Sequence, residues 1–323
     1  MYNYQDSLTL IAGIVMIVIG IIGIICNFFV VYIFLRAPVE RTSFNLICVC
    51  RAVCNILVLI WAFLATYVPV TLMGTSPYSQ FYETIAIGCV NSIYSVIQNT
   101  GILIAVNRLC AVFFPFGYQK IFKIQFTILM TFALFVWKTV VIIMEFHNYL
   151  PKHCYMYFSS EYLTWMLTDE PQCHEDSSED VNKTAIYVGI MVVINLITFF
   201  KISLFYKSTH MIQERKDGKL RKNKVMFMQT LIQDAIMLID MLFTFKLSGL
   251  ISGRLWSFIS GTLIWELVHS LDGFIMILFN ERLTFIKRTL FSSSANPSMP
   301  NSKVFVPTST HSKPIPSARS QRS

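Results

Sequence analysis

Residues 8–35 read LTLIAGIVMIVIGIIGIICNFFVVYIFL, a run without one charged side chain. A helix rises about 1.5 Å per residue and the hydrocarbon core of a bilayer is about 30 Å thick, so roughly 20 apolar residues cross it. This run exceeds that length. It is also too long for the core of a signal peptide and no basic segment precedes it, so it is expected to stay in the mature chain as a membrane helix. Six further apolar runs follow, over 43–69, 81–113, 124–146, 184–206, 225–247 and 255–279. The expected fold is an all-α membrane protein, a seven-transmembrane helix bundle.

Composition agrees with this and excludes other classes. Of 323 residues, 54% are apolar and 14% charged, against about 25% charged in an ordinary soluble domain. A net charge of +8 would suit a nucleic-acid binder, but the basic residues lie in short segments between the apolar runs. Eighteen Lys and Arg fall after spans 1, 3 and 5 and in the tail, while the N-terminus and the alternate loops hold only Lys152, Lys183 and Arg254. Basic residues accumulate on the cytoplasmic side, which puts the N-terminus outside and the C-terminus inside. Eight cysteines without paired CxxC spacing and six scattered histidines give no metal site. The soluble segments carry no nucleophile constellation, so neither enzyme activity nor a cofactor is expected.

Three regions follow. Residues 1–7 form a short extracellular N-terminus, too small for a ligand-binding domain. Residues 8–291 hold the bundle and, at its end, a short amphipathic helix with Leu283, Ile286, Leu290 and Phe291 beside Arg282, Lys287 and Arg288, suited to the inner lipid surface. Residues 292–323 are rich in Ser, Thr and Pro and read as a disordered cytoplasmic tail open to regulatory binding.

Polar residues inside the spans carry the functional signal. Asp234, Asp240, Glu266 and Asp272 would each cost about 2.5 kcal/mol or more against lipid and should face the bundle. Glu266, His269 and Asp272 recur every three residues on one helical face, matched in span 3 by Asn91, Ser95, Gln98 and Asn99. With Asn27 and Asn55 they make a candidate buried network, for which Arg51 and Lys138 are available counter-charges. Asp234 and Asp272 lie deep and fit a structural or ion-linked role. Asp240 and Glu266 lie within reach of the outside, so the expected small-molecule site comprises Asn91, Tyr94 and Ser95 of span 3, Asp240 and Phe243 of span 6, and Trp265, Glu266 and His269 of span 7. The aromatic-rich loop 147–183 would be its lid. The plainer alternatives are hydrogen bonds from helix to helix alone, or Asp240 and Glu266 paired with Lys138 or Lys246. Cys154 and Cys173 flank the loop on the oxidising side and could pair with each other or one of them with Cys89. Asn182 begins a glycosylation sequon close to span 5. Arg108, at the inner end of span 3, either snorkels to the interface or serves the cytoplasmic face.

Asn107-Arg108-Leu109, with Pro115 eight residues after Asn107, resembles the rhodopsin-like pattern of Asp-Arg-Tyr followed by a proline at that offset. The runs NRLCAVFFPFGY (107–118), LIQDAIMLIDMLFTFKLS (231–248) and SGTLIWELVHSLDGFIMILFNERL (260–283) together look like the nematode chemoreceptor family called serpentine receptor class X, over nearly the whole chain. The resemblance implies a G-protein-coupled chemosensory receptor in the plasma membrane, in sensory-neuron cilia for such a family, acting on a heterotrimeric G protein. It implies a coupling face formed by Asn107, Arg108 and Pro115 with Arg221, Lys222 and Lys224, and it favours the Cys154 to Cys173 pairing. The departures are Leu109 in place of Tyr, Asp272-Gly273-Phe274-Ile275-Met276 in place of Asn-Pro-x-x-Tyr, and no Cys-Trp-x-Pro in span 6. Glu83 stands where rhodopsin-like receptors keep their span-3 disulfide cysteine. An odorant-gated cation channel and a secondary transporter are the alternatives; the first places its N-terminus inside and the second commonly shows internal repeats, which this sequence lacks.

Overall fold

The computed structural model describes residues 7–38, 41–170, 173, 177–209 and 217–279. The long helices are α1 (Ser7–Arg36), α2 (Ser43–Met73), α3 (Gln80–Phe113), α4 (Ile124–Tyr149), α5 (Ser177–Thr209), α6 (Asp217–Leu242, carried on by Phe243–Leu247) and α7 (Arg254–Phe279). Each apolar run of the sequence lies in one of them. Among the described residues six of these helices, all but α6, are long and apolar enough to cross a membrane. The chain divides into one unit, Met1–Leu283, and a C-terminal unit, Thr284–Ser323; the expected amphipathic helix and the tail lie outside the described residues.

Burial sorts the helices into an inner and an outer set. The most apolar stretches of α2, α3 and α7 are each 56% buried, against 22%, 17% and 22% for α1, α4 and α5, so the first three form the centre. The core around them contains Met16, Phe63, Tyr67, Ile97 and Trp265. Exposed Ile14, Val18, Phe132, Trp137, Ile197 and Phe200 cover the outside, where lipid is the compatible solvent.

Local chemistry sets the helix ends and bends. Thr42 caps α2 by accepting from Asn45 N (3.2 Å), satisfying one of the free N–H groups of the first turn. Gly74 ends α2 at φ 76°, a left-handed conformation that costs a glycine little. Pro69 has no N–H for the Ala65 carbonyl and its ring crowds that turn. The Tyr78 hydroxyl donates to Ala65 O instead (2.8 Å), and the preceding stretch, Leu59–Tyr67, loosens into a π-helix. Further π-helical turns occur at Phe243–Leu247 and Ile259–Leu263.

The all-α expectation misses one element, a hairpin of β1 (Met156–Ser159) and β2 (Thr164–Leu167) with Met156 opposite Leu167. Its Tyr157, Phe158, Thr164 and Trp165 are residue types that suit a pleated, half-buried surface.

Candidate ligand and coupling sites

The hairpin is fastened to one end of the bundle from several sides. Glu83, buried in the first turn of α3, accepts from Phe158 N (2.7 Å), and Thr84 Oγ1 accepts from Met156 N (3.0 Å). Thr262 of α7 donates to Leu163 O (2.7 Å). Arg254 Nη2 donates to Thr9 Oγ1 (2.7 Å) and Ser160 O (2.8 Å), joining α1, the hairpin and α7. Cys154 and Cys173 form a disulfide with Cα atoms 5.5 Å apart, which resolves the pairing left open by the sequence; Cys89 is a free thiol. A hydrogen bond accepted by Glu83 thus anchors the loop at the position where rhodopsin-like receptors keep a cysteine. Glu83→Ala would leave a buried Phe158 N–H unpartnered, a loss of about 1–3 kcal/mol. Amides of residues 156–159 should then exchange with solvent at least about tenfold faster by hydrogen-exchange mass spectrometry, while Glu83→Gln, which keeps an acceptor, should change them less.

Beneath the hairpin, an aromatic cluster links it to the bundle. Phe158 stacks on Tyr67 with ring centres 4.2 Å apart. Trp265 packs against Phe63 (5.2 Å) and Tyr67 (6.1 Å), and Tyr94 meets Trp265 (6.1 Å) and His269 (5.7 Å) edge-on. The Tyr94 hydroxyl donates to Asp240 Oδ2 (2.6 Å), and Thr244 Oγ1 lies 3.4 Å from Asp240 Oδ1. These contacts bring Tyr94, Asp240, Trp265 and His269 together. Asn91 reaches the hairpin, with Nδ2 3.9 Å from Met156 Sδ, while Phe243 packs against Trp256 (5.9 Å). Ser95 contributes its carbonyl to Asn99 Nδ2 (2.7 Å), so Asn99 bonds within α3. Glu266 is fully buried and neither carboxylate oxygen has a hydrogen-bond partner. No ion pair joins Asp240 or Glu266 to Lys138 or Lys246; Arg51 and Asp272 form a buried one.

That pair is the hub of the buried network. Asp272 Oδ2 accepts from Arg51 Nε (2.8 Å) and Asn55 Nδ2 (2.7 Å), and Oδ1 accepts from Gln233 Nε2 (2.8 Å). Asn55 Nδ2 also lies 3.3 Å from Asn27 Oδ1, and Asn27 Nδ2 donates to His269 O (3.0 Å). Because the Asn55 amide nitrogen faces Asp272, its oxygen is the acceptor toward His269 Nδ1 (2.8 Å), so the ring carries its proton on Nδ1. His269 Nε2 is then an acceptor, and it has no partner. The hub draws on α1, α2, α6 and α7. Asp234 sits apart, accepting from Asn195 Nδ2 of α5 (2.5 Å).

At the other end of α3, the Arg108 side chain lies over the Phe44 ring (4.7 Å). It is buried, and none of its three guanidinium nitrogens has a hydrogen-bond partner. Asn107 Oδ1 accepts from the Tyr118 hydroxyl (3.3 Å), which ties α3 to the short helix Pro115–Ile121. The side chains of Asn182, Arg221, Lys222 and Lys224 lie outside the described residues.

Sequence reasoning passed over Gln233, Asn195, Phe63 and Tyr67, and met Glu83 only as a departure from the rhodopsin-like pattern and Phe158 only as one of the loop aromatics. Gln233 and Asn195 were findable, since an amide inside an apolar run meets the same lipid penalty as the acids. The aromatics gave no such signal, being indistinguishable in sequence from lipid-facing ones.

Residues 17–280 match the family model described as "Serpentine type 7TM GPCR chemoreceptor Srx". The chain belongs to the Srx family. A curated relative, serpentine receptor class X 45 of Caenorhabditis elegans, is 24% identical over 309 residues, covering 86% of this chain and 81% of the relative. As an Srx protein with several apolar helices, the chain is a multi-pass membrane protein of the serpentine chemoreceptor class. Membership of a receptor family speaks against an enzyme. The Srx match includes the Arg51–Asp272 hub, the hairpin and Arg108 within its bounds.

Proposed function

We propose that this chain is a seven-span chemosensory receptor of the plasma membrane, with its N-terminus outside and its Ser/Thr-rich tail inside, that binds a small organic ligand and activates a heterotrimeric G protein. One observation carries the reading: α3 ends in two unlike sites. Its outer half holds Tyr94, hydrogen-bonded to Asp240 and packed against Trp265 and His269 below a disulfide-closed hairpin. Its inner end holds Arg108, a buried cation without a hydrogen-bond partner. The ligand would sit among Asn91, Tyr94, Ser95, Asp240, Phe243, Trp265, Glu266 and His269, a largely apolar surface with a few convergent polar groups. Asp240 and Glu266 are buried, so entry needs the hairpin or the outer turns of α6 and α7 to give way; their π-helical turns carry looser hydrogen-bond ladders. At the inner end, Asn107, Arg108 and Pro115, with Arg221, Lys222 and Lys224, would form the face that meets the G protein. The basic-residue asymmetry gives the orientation.

Two measurements test this together. Epitope tags at residues 1 and 323 should stain without and only with permeabilisation, respectively; the reverse would replace the receptor by the channel alternative. In cells expressing the chain, a chemically diverse odorant panel should raise a second-messenger signal that Arg108→Ala, at equal surface expression, lowers by about tenfold or more. Wild-type signalling from the Arg108 variant would remove that residue from the coupling face.

A further inference from the structure

Asp240 and Glu266 are 2% and 0% exposed, and both lie in the outer half of the bundle. An ionisable group at such a depth is expected to find an opposite charge or a water-filled cavity. No basic side chain among the described residues pairs with either, and the buried Arg51 is engaged by Asp272. Neither Glu266 oxygen nor His269 Nε2 has a hydrogen-bond partner, and the Tyr67 hydroxyl and Gln98 Nε2 are likewise buried without one; Asp240 has only the hydroxyls of Tyr94 and Thr244. The surrounding Tyr94, Trp265, Phe63 and Tyr67 rings offer the electron-rich faces that attract organic cations.

We infer that the ligand is a protonated organic amine, its ammonium bound at Asp240 beside Tyr94 and its apolar part against Trp265. The inference rests on the receptor reading above and adds the charge class of the ligand. Asp240 is the anchor because its partners are hydroxyls that can rotate toward a new donor. Glu266 lies toward Gly20 and Leu64, at the contact of α1 and α2, and His269 Nε2 offers a second acceptor. A carboxylate or phosphate ligand would meet the Asp240 carboxylate without a cation to offset it, and a neutral ligand would leave that carboxylate without a counter-charge.

The full-length receptor in lipid nanodiscs is titrated with 2-phenylethylamine, 2-phenylethanol and 3-phenylpropionate, probes of similar size that differ in head group, with thermal stabilisation as the readout. The amine should half-saturate at a concentration at least about tenfold below that of the alcohol, with the carboxylate weakest. Asp240→Asn should erase that preference, bringing the amine's half-saturation to within about twofold of the alcohol's. The wild-type comparison stands even if the variant fails to fold. Equal or stronger stabilisation by the alcohol or the carboxylate, no stabilisation by the amine, or an amine preference that survives Asp240→Asn overturns the inference. The readout is binding and not signalling, so such a result leaves the receptor reading to its own test.

Discussion

Arg51→Ala should abolish the folded receptor at the cell surface, the largest effect expected of any single substitution in this chain. The substitution strands Asp272 inside the bundle, 3% exposed, with only the amides of Asn55 and Gln233 to offset its charge. Removing one member of a buried pair costs about 3–5 kcal/mol, because the charge left behind is uncompensated. Much of a receptor's whole stability margin is of that size. Asp272→Asn alone should be nearly as damaging, since it leaves Arg51 as the stranded charge. The double variant Arg51→Met with Asp272→Asn should recover most of the loss, because a buried pair replaced as a unit by uncharged groups is often close to neutral. Surface expression and thermal unfolding in detergent measure all three. A double variant as unstable as either single one would mean that the cost lies in packing and not in charge.

Gly273→Ala should come next, through a steric route. A Cβ on Gly273 would stand 2.7 Å from Asn27 Cγ and 2.8 Å from the Asn27 backbone nitrogen, distances that real side chains do not tolerate. The backbone of α1 cannot rotate out of the way, so the two helices must separate. Overpacking of this kind costs about 1–3 kcal/mol, and separation would also pull Asn27 Nδ2 from its bond to His269 O. Thermal unfolding should fall measurably below wild type. Gly189→Ala is the control: nothing lies within 4 Å of its new Cβ, so stability should hold or rise by up to about 1 kcal/mol from helix propensity alone. Equal behaviour of the two alanine variants would show that α1 and α7 approach less closely than the structure has them.

Gly273 also marks the limit of what sequence can say. It is visible as a departure from the Asn-Pro-x-x-Tyr pattern, but its reason is the backbone of Asn27, 246 positions earlier in the chain. The Cys154–Cys173 bridge was legible only as one of two pairings, because sequence spacing leaves the partner open and the fold brings these two Cα atoms to 5.5 Å. Among the expected ligand residues, Tyr94 and Asp240 meet, but nothing local to either predicts it, since they are separated by 146 positions and joined by one hydroxyl.

What the sequence by itself determined is the set of helices, the inward direction of its charged and amide residues, and the charge asymmetry behind the proposed orientation. Each of these follows from transfer between water and hydrocarbon, an energy that belongs to single residues or short windows and needs no knowledge of neighbours. The tertiary structure decided which partner each buried group takes. Arg51 could have met any of four acids and meets Asp272; Glu83 holds the hairpin; Glu266 and the Arg108 guanidinium are left without hydrogen-bond partners. Pairing depends on distance and direction between atoms far apart in the chain, and those are fixed only when the helices have packed.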